Sequence, residues 1–105
     1  MEKPFREITR KKQILTAEQC DEVLDSALRG VLAVNGEDHY PYALPINFYY
    51  DQEARTIYFH SGKRGYKVEC LTRSDKACFT ASDEGVRRDG EWWLTIGSVI
   101  AFGYI

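Results

Sequence analysis

The sequence is poor in cysteine, and its three cysteines lie far apart in the chain. Cys20, Cys70 and Cys78 form no C-x-x-C pair, which argues against a zinc knuckle and against a thioredoxin-type redox motif. An odd, scattered set of this kind is typical of reduced and mostly buried thiols. We therefore predict a cytoplasmic protein without a metal site.

The chain also lacks long apolar runs and an excess of positive charge. No run approaches the roughly 18 apolar residues of a membrane-spanning helix. Residues 1–6 are charged and contain no apolar signal core. The net charge of −2 indicates no basic face of the kind that nucleic acids require. We therefore expect neither a membrane nor a nucleic acid as a partner.

What the sequence does have is the length of one domain and a globular composition. Its 105 residues are 44% hydrophobic and 29% charged, which is ordinary for a folded soluble chain. We expect a single domain over residues 1–105. Aromatic side chains are frequent, and they favour strands, interfaces and the stacking of flat ligands.

The order of local signals predicts a mainly β fold with two short helices. Thr16 opens a capping box and apolar residues follow at helical spacing, so a helix is predicted over 17–29, ended by Gly30. Asn35-Gly36 is a hairpin signal. The other predicted elements are strands at 31–34, 42–50, 56–60 and 77–81, a helix at 66–72, and a strand-like stretch at 92–105 broken at Gly97. Short strands at this spacing indicate a barrel rather than a parallel α/β sheet.

The loop after the third strand has the composition of a phosphate site. The strand ends in His60 and Ser61, and Lys67 lies in the first turn of the following helix. Gly62 and Gly65 permit close backbone approach, the helix start offers free N–H groups, and cationic side chains neutralise charge. The alternative is a tight basic turn that is only solvated.

Asn47 is the second candidate, because it interrupts an apolar strand. A buried amide must find hydrogen-bond partners. Its donors and its acceptor match the polar edge of a flavin ring. The alternative is an asparagine that satisfies nearby backbone groups.

These segments occur in the order found in a known family. The matching pieces are Arg6-Glu7-Ile8-Thr9, Pro41-Tyr42, Pro45-Ile46-Asn47-Phe48-Tyr49-Tyr50, Ile57-Tyr58-Phe59-His60-Ser61-Gly62, Gly65-Tyr66-Lys67, Leu71, Cys78-Phe79 and Ser98-Val99-Ile100-Ala101-Phe102-Gly103. With them the chain resembles the pyridoxamine 5′-phosphate oxidase-like FMN-binding split barrels, within the branch related to nitroimidazole-resistance proteins. The match spans nearly the whole chain, which makes it more specific than any one piece.

The resemblance implies a homodimer with FMN at the subunit interface. The residues that it assigns to FMN are Ile46, Asn47 and Phe48 along the isoalloxazine, His60 and Ser61 near ring or ribityl atoms, and Lys67 with the Gly65 and Tyr66 backbone at the phosphate. Pyridoxamine phosphate oxidases proper carry Ser-Arg-Lys where this chain has Gly65-Tyr66-Lys67. Arg64 or Lys63 is therefore the expected replacement for one cation. Trp92 and Trp93 are expected to cover the flavin from the other subunit.

The resemblance also implies an oxidoreductase. We expect electrons to pass from a reduced nicotinamide through FMN to a small electron-poor acceptor such as a nitro compound, with His60 as the catalytic residue. Two alternatives stay open: a flavin-binding electron carrier without turnover, and a flavin-free β-barrel interaction module. The chain ends at Ile105 inside an apolar strand pattern, where family members continue. Either a second subunit covers this edge or the barrel is C-terminally shortened.

Overall fold

Six strands and two helices form the part of the chain that a computed structural model describes, residues 14–60, 62, 64–85, 87, 89–90 and 96–105. In chain order they are α1 (Ala17–Ser26), β1 (Gly30–Asn35), β2 (Pro41–Ile46), β3 (Phe48–Asp51), β4 (Thr56–Phe59), α2 (Tyr66–Arg73), β5 (Lys76–Ser82) and β6 (Ser98–Tyr104). The predicted mainly β fold with two helices is confirmed.

The strands form two antiparallel sheets. The larger sheet has the order β2-β1-β5-β6, and β3 pairs with β4 in a separate two-stranded ribbon. In the larger sheet Leu32 lies opposite both Leu44 and Phe79, which fixes the register of its inner face. The edge strand β2 begins with Pro41 and contains Pro45. Proline is tolerated there because an edge strand has N–H groups that need no partner in the sheet.

Asn47 divides the strand that we predicted over 42–50. β2 ends at Ile46 and β3 begins at Phe48, and these two strands belong to different sheets. Both Ile46 and Tyr50 are buried in the shared core. The apolar run therefore serves two sheets, with the asparagine at the corner where the chain passes from one to the other.

The first helix is shorter than predicted. Its capping box is present, with the Gln19 N–H donating to Thr16 Oγ1 at 3.2 Å. The helix ends at Ser26 with Ala27 in an extended conformation, so Gly30 is not its cap and instead begins β1. A Cβ at position 30 would lie 2.9 Å from the Thr80 carbonyl oxygen and would overlap the Phe79 ring. Glycine is needed here for close packing.

The hairpin predicted at Asn35-Gly36 exists, but its connection is longer than two residues. Asn35 lies opposite Pro41, and a 3₁₀ turn over Glu37–His39 lies between them. Asp38 and His39 both have positive φ, at 54° and 65°. Two left-handed residues in succession reverse the chain where a two-residue turn was expected.

The core lies between the larger sheet, the ribbon and both helices. Its buried members are Leu24, Leu32, Val34, Ile46, Tyr50, Cys70, Phe79 and Ala81. Phe48 and Phe59, opposite each other in the ribbon, both pack on Phe79, with ring centroids 4.8 and 5.3 Å away. All three cysteines are free thiols; Cys70 is fully buried and the other two are half-buried.

A buried carboxylate joins α1 to the ribbon. Asp21 is only 7% exposed, and the Tyr50 hydroxyl donates to its Oδ1 at 2.6 Å. This hydrogen bond, together with burial, raises the pKa of Tyr50 above its ordinary value. The fold therefore favours the neutral hydroxyl of this tyrosine.

Replacing Tyr50 by Phe should cost about 1–3 kcal/mol of unfolding free energy at neutral pH, because the buried carboxylate loses a donor. Because the pKa of Tyr50 is raised, its hydroxyl contributes fully to the unfolding free energy below the pKa of the unfolded chain, about 10. This contribution is lost as the pH rises through the pKa of Tyr50 in the folded protein. Urea unfolding of both proteins from about pH 7 to about pH 11 should show the stability difference narrowing at the alkaline end. A constant difference would contradict the assignment.

Candidate functional site

The corner at Asn47 meets the end of β4 at His60. The His60 N–H points to the Asn47 carbonyl oxygen, with N···O at 3.5 Å. Both residues are exposed, and they line an open depression of about 310 Å³ together with Phe48, Tyr49, Tyr58 and Phe59. The fold thus brings together two site candidates that are thirteen residues apart in the chain.

Two residues expected to lie along a flavin ring have their side chains in the core. Ile46 is buried, and Phe48 packs edge-on against Phe79. Ile46 is thereby removed from the surface, whereas Phe48 is half-buried and still lines the depression at the corner. Asn47 and His60 carry the polar groups of the corner.

The second helix begins after Gly65, whose backbone conformation would be strained for any other residue. Gly65 has φ 126° and ψ 173°, a region that side-chain-bearing residues avoid. No described side chain caps this end of α2, and the first helical hydrogen bond runs from the Glu69 N–H to the Gly65 carbonyl. The first-turn N–H groups therefore have no partner within the helix, as an anion site requires.

Tyr66 anchors this helix start. Its ring packs edge-on against Tyr42, with centroids 4.8 Å apart, and its hydroxyl accepts the Glu37 N–H at 2.8 Å. Its side chain therefore contacts the loop after β1 and the start of β2, while its backbone lies in the first turn of α2. Local sequence patterns do not predict this contact, because it joins residues 29 positions apart.

Lys67 contributes to a second cleft, of about 400 Å³, which is also lined by residues of β4. Ile46, Val68 and Leu71 lie in the same cleft, and Tyr58 and Phe59 line both depressions. The two depressions therefore adjoin at Tyr58 and Phe59 of β4. Gly65 and Arg64 are exposed beside this helix start. Ser61, Lys63, Trp92 and Trp93 lie outside the described residues.

Other kinds of site find no support in residues 14–60, 64–85 and 96–105. Across the described chain, no three His, Cys, Asp or Glu side chains come close enough together to hold a metal ion. Neither of the two described helices has the length and apolar character needed to cross a membrane.

Comparison with known proteins identifies the family. Residues 16–105 match the family model described as pyridoxamine 5′-phosphate oxidase, so the chain belongs to this family. Among curated proteins, none shows significant sequence similarity to it.

Solved structures share the fold. A provisionally assigned 5-nitroimidazole antibiotic resistance protein of Bacteroides thetaiotaomicron is 26% identical, with a TM-score of 0.73 over 87% of this chain and 55% of its own. An FAD-binding protein of Mesorhizobium loti is 24% identical, with a TM-score of 0.67 over 86% of this chain and 58% of its own. A conserved hypothetical protein of Mycobacterium tuberculosis is 17% identical, with a TM-score of 0.76 over 93% of this chain and 56% of its own.

These likenesses confirm the split-barrel architecture expected from the sequence. They also show that the chain spans only 55–58% of the length of the three structures. The two sheets, the corner at Asn47 and the start of α2 all fall within the matched part, residues 16–105.

Replacing Gly65 by Ala should destabilise the start of α2 by about 1–3 kcal/mol, because the φ of 126° is strained for any other residue. Space is not the cause, since nothing lies within 4 Å of the added methyl group. Amide hydrogen exchange should show faster exchange in the first turn of α2.

The matched control is Gly62→Ala. A Cβ there would meet the Arg64 carbonyl oxygen at 3.9 Å, which is an ordinary contact. Equal losses in the two variants would show that the conformation of Gly65 is not what the helix start depends on.

Proposed function

We propose that this chain binds FMN and works as a flavoprotein oxidoreductase. The supporting observation is the pair of depressions that meet along β4, one lined by Asn47 and His60 and the other by Lys67 at the start of α2. Membership of the pyridoxamine 5′-phosphate oxidase family and the fold shared with an FAD-binding protein agree with it.

The phosphate of FMN fits the start of α2. The helix end has no described side-chain cap, and Gly65 has no side chain to keep an anion away from the backbone. The first-turn N–H groups and the Lys67 ammonium would share the negative charge. Arg64 is exposed nearby and supplies a second cation. One such anion site suits a mononucleotide.

The flavin ring fits the corner at Asn47 and His60. Asn47 offers an amide that both donates and accepts, which is what the polar edge of the isoalloxazine requires. Tyr58 and Phe59 supply the surface between the corner and Lys67. His60 lies beside Asn47 and is exposed to an incoming molecule.

We further propose a homodimer with the flavin at the interface. The outer row of β6 carries Ile100 and Phe102, which are 63% and 58% exposed, and they face the same side as Cys78 and Thr80 of β5. Apolar side chains grouped in this way favour an interaction surface. Free thiols in the described chain suit a reducing cytoplasm.

Bound FMN would supply two-electron transfer from a reduced nicotinamide to a small electron-poor acceptor such as a nitro compound. The chain's own part is binding and orientation: Asn47 holds the ring edge and Lys67 holds the phosphate. The His60 imidazole is placed to orient the acceptor or to give it a proton. The fold shared with a provisionally assigned 5-nitroimidazole resistance protein supports this acceptor class.

The openness of the corner favours one alternative, an electron carrier without a substrate of its own. Asn47, Tyr49, Tyr58 and His60 are all exposed, so the described residues build no wall that excludes water. A second subunit would have to supply that wall for catalysis.

Replacing Lys67 by Ala should weaken FMN binding about 10- to 100-fold, because a charge-assisted contact to the phosphate is lost. Riboflavin, which has no phosphate, should bind the variant and the wild-type protein equally. Fluorescence titration with both flavins measures this. Lys76→Ala, at the exposed start of β5, is the control. Unchanged FMN affinity would remove Lys67 from the phosphate site.

Replacing His60 by Gln should leave FMN bound while abolishing acceptor turnover, since the variant loses the proton donor but keeps a polar side chain. Stopped-flow absorbance would follow flavin reduction by a nicotinamide and its reoxidation by a nitroaromatic acceptor. His39→Gln, in the exposed loop before β2, should behave like the wild type. Wild-type turnover in His60→Gln would show that this histidine has only a structural role. If no acceptor reoxidises the flavin bound to the wild-type protein, the protein is an electron carrier without turnover.

A further inference from the structure

The β3–β4 ribbon that carries the corner has no described backbone pairing with the larger sheet. Within residues 14–60, 64–85 and 96–105, β3 and β4 pair with each other and with no further strand, whereas the other four strands form the larger sheet. A two-stranded hairpin is marginally stable by itself. The position of Asn47 and His60 therefore depends on the side chains that hold the ribbon in place.

One attachment lies at the end of the ribbon nearest the corner. Phe48 and Phe59 form the first cross-strand pair, and both pack on the single ring of Phe79. Apolar packing of this kind is strong but not directional. The side chains of Tyr50 and Ile57 also pack on the core, but contacts without direction do not by themselves fix the angle of the ribbon against the sheet.

The second attachment lies at the far end and is made by one carboxylate. The Tyr50 hydroxyl of β3 donates to Asp21 Oδ1 at 2.6 Å. From the turn between β3 and β4, Gln52 Nε2 donates to Asp21 Oδ2 at 3.4 Å, and an Arg55 guanidinium nitrogen lies 3.9 Å from the same oxygen. Three side chains of the ribbon thus converge on one residue of α1.

The contacts around Asp21 hold the ribbon in one position. Asp21 is buried, and the 2.6 Å separation is that of a charge-assisted O–H···O⁻ hydrogen bond, which is short and directional. Tyr50 is itself a core residue, so the hydroxyl cannot turn away without moving its ring. Leaving this carboxylate without donors would be costly, because it is removed from water.

Two attachments at opposite ends determine the direction of the ribbon. Tyr50 lies three residues from Asn47 along β3, about 10 Å at the usual rise of a strand. A functional site holds its geometry only when the elements that carry it are held rigidly. The contact between Tyr50 and Asp21 therefore affects the positions of Asn47 and His60, although Asp21 touches neither of them.

We propose that Asp21 is a positioning residue, which fixes the angle of the β3–β4 ribbon on the larger sheet and thereby the geometry of the corner at Asn47 and His60. The consequence for flavin rests on the proposed function above. The consequence for the corner itself does not, because it holds in the protein without any ligand.

The test is amide NMR of the ligand-free protein with Asp21→Asn. The variant keeps the shape of the side chain but loses its charge and one acceptor oxygen. The Asn47 and His60 signals should shift or broaden, while those of Ala33 and Cys78, a pair inside the larger sheet, should not. Glu22→Gln, the exposed neighbour on α1, should leave all four signals unchanged.

Two milder variants keep the test decisive if Asp21→Asn does not fold. Tyr50→Phe removes the shortest contact, and Arg55→Gln removes one whose guanidinium side chain is 63% exposed. Both should move the Asn47 and His60 signals in the same direction as Asp21→Asn, and Arg55→Gln should move them less. Unmoved signals in folded variants, or equal shifts throughout both sheets, would overturn the proposal.

FMN binding to Asp21→Asn tests whether the position of the corner affects the flavin. With Asp21→Asn, FMN affinity should fall about 3- to 30-fold and the visible circular dichroism of bound FMN should change, because coupling of this kind typically modulates a distant site by such factors. Shifted corner signals with unchanged affinity and dichroism would overturn the link from Asp21 to the flavin. A wild-type protein that binds no FMN would refute the proposed function, while the NMR comparison would still decide the role of Asp21.

Discussion

The packing of Phe48 and Phe59 on Phe79 is the contact on which the rest of the structure depends. It brings the ribbon down onto the larger sheet just where the chain changes sheets at Asn47. Gly30 makes the contact possible, because any side chain there would overlap the Phe79 ring. With this contact in place, the ends of β3 and β4 stand side by side, and polar groups distant in sequence form one corner.

The sequence predicted those parts of the fold that local signals determine. The capping box at Thr16, the second helix over 66–72 and the strand at 77–81 each follow from residues within a few positions of one another, and the structure has them as Ala17–Ser26, Tyr66–Arg73 and Lys76–Ser82. The family resemblance added the order of the segments. It predicted the split barrel, which neither composition nor periodicity could have specified.

What sequence reasoning missed depends on contacts between distant segments. The run over 42–50 looks like one strand because both halves are apolar, and only the second sheet reveals the break at Asn47. Gly30 looked like a helix cap, since the Phe79 ring that requires it lies 49 positions away. Asp21 did leave a signal: it precedes the buried Leu24 by three residues, on the inner face of α1. Its partners Tyr50 and Arg55 could not be read from the helix.

We propose that the corner at Asn47 and the start of α2 bind the two ends of one flavin. Amide NMR of the wild-type protein during FMN titration tests it most directly. We expect the signals of Asn47, His60, Gly65 and Lys67 to move together and to saturate at one FMN per chain. Absence of any shift, or shifts that spare Asn47 and Lys67, would contradict it.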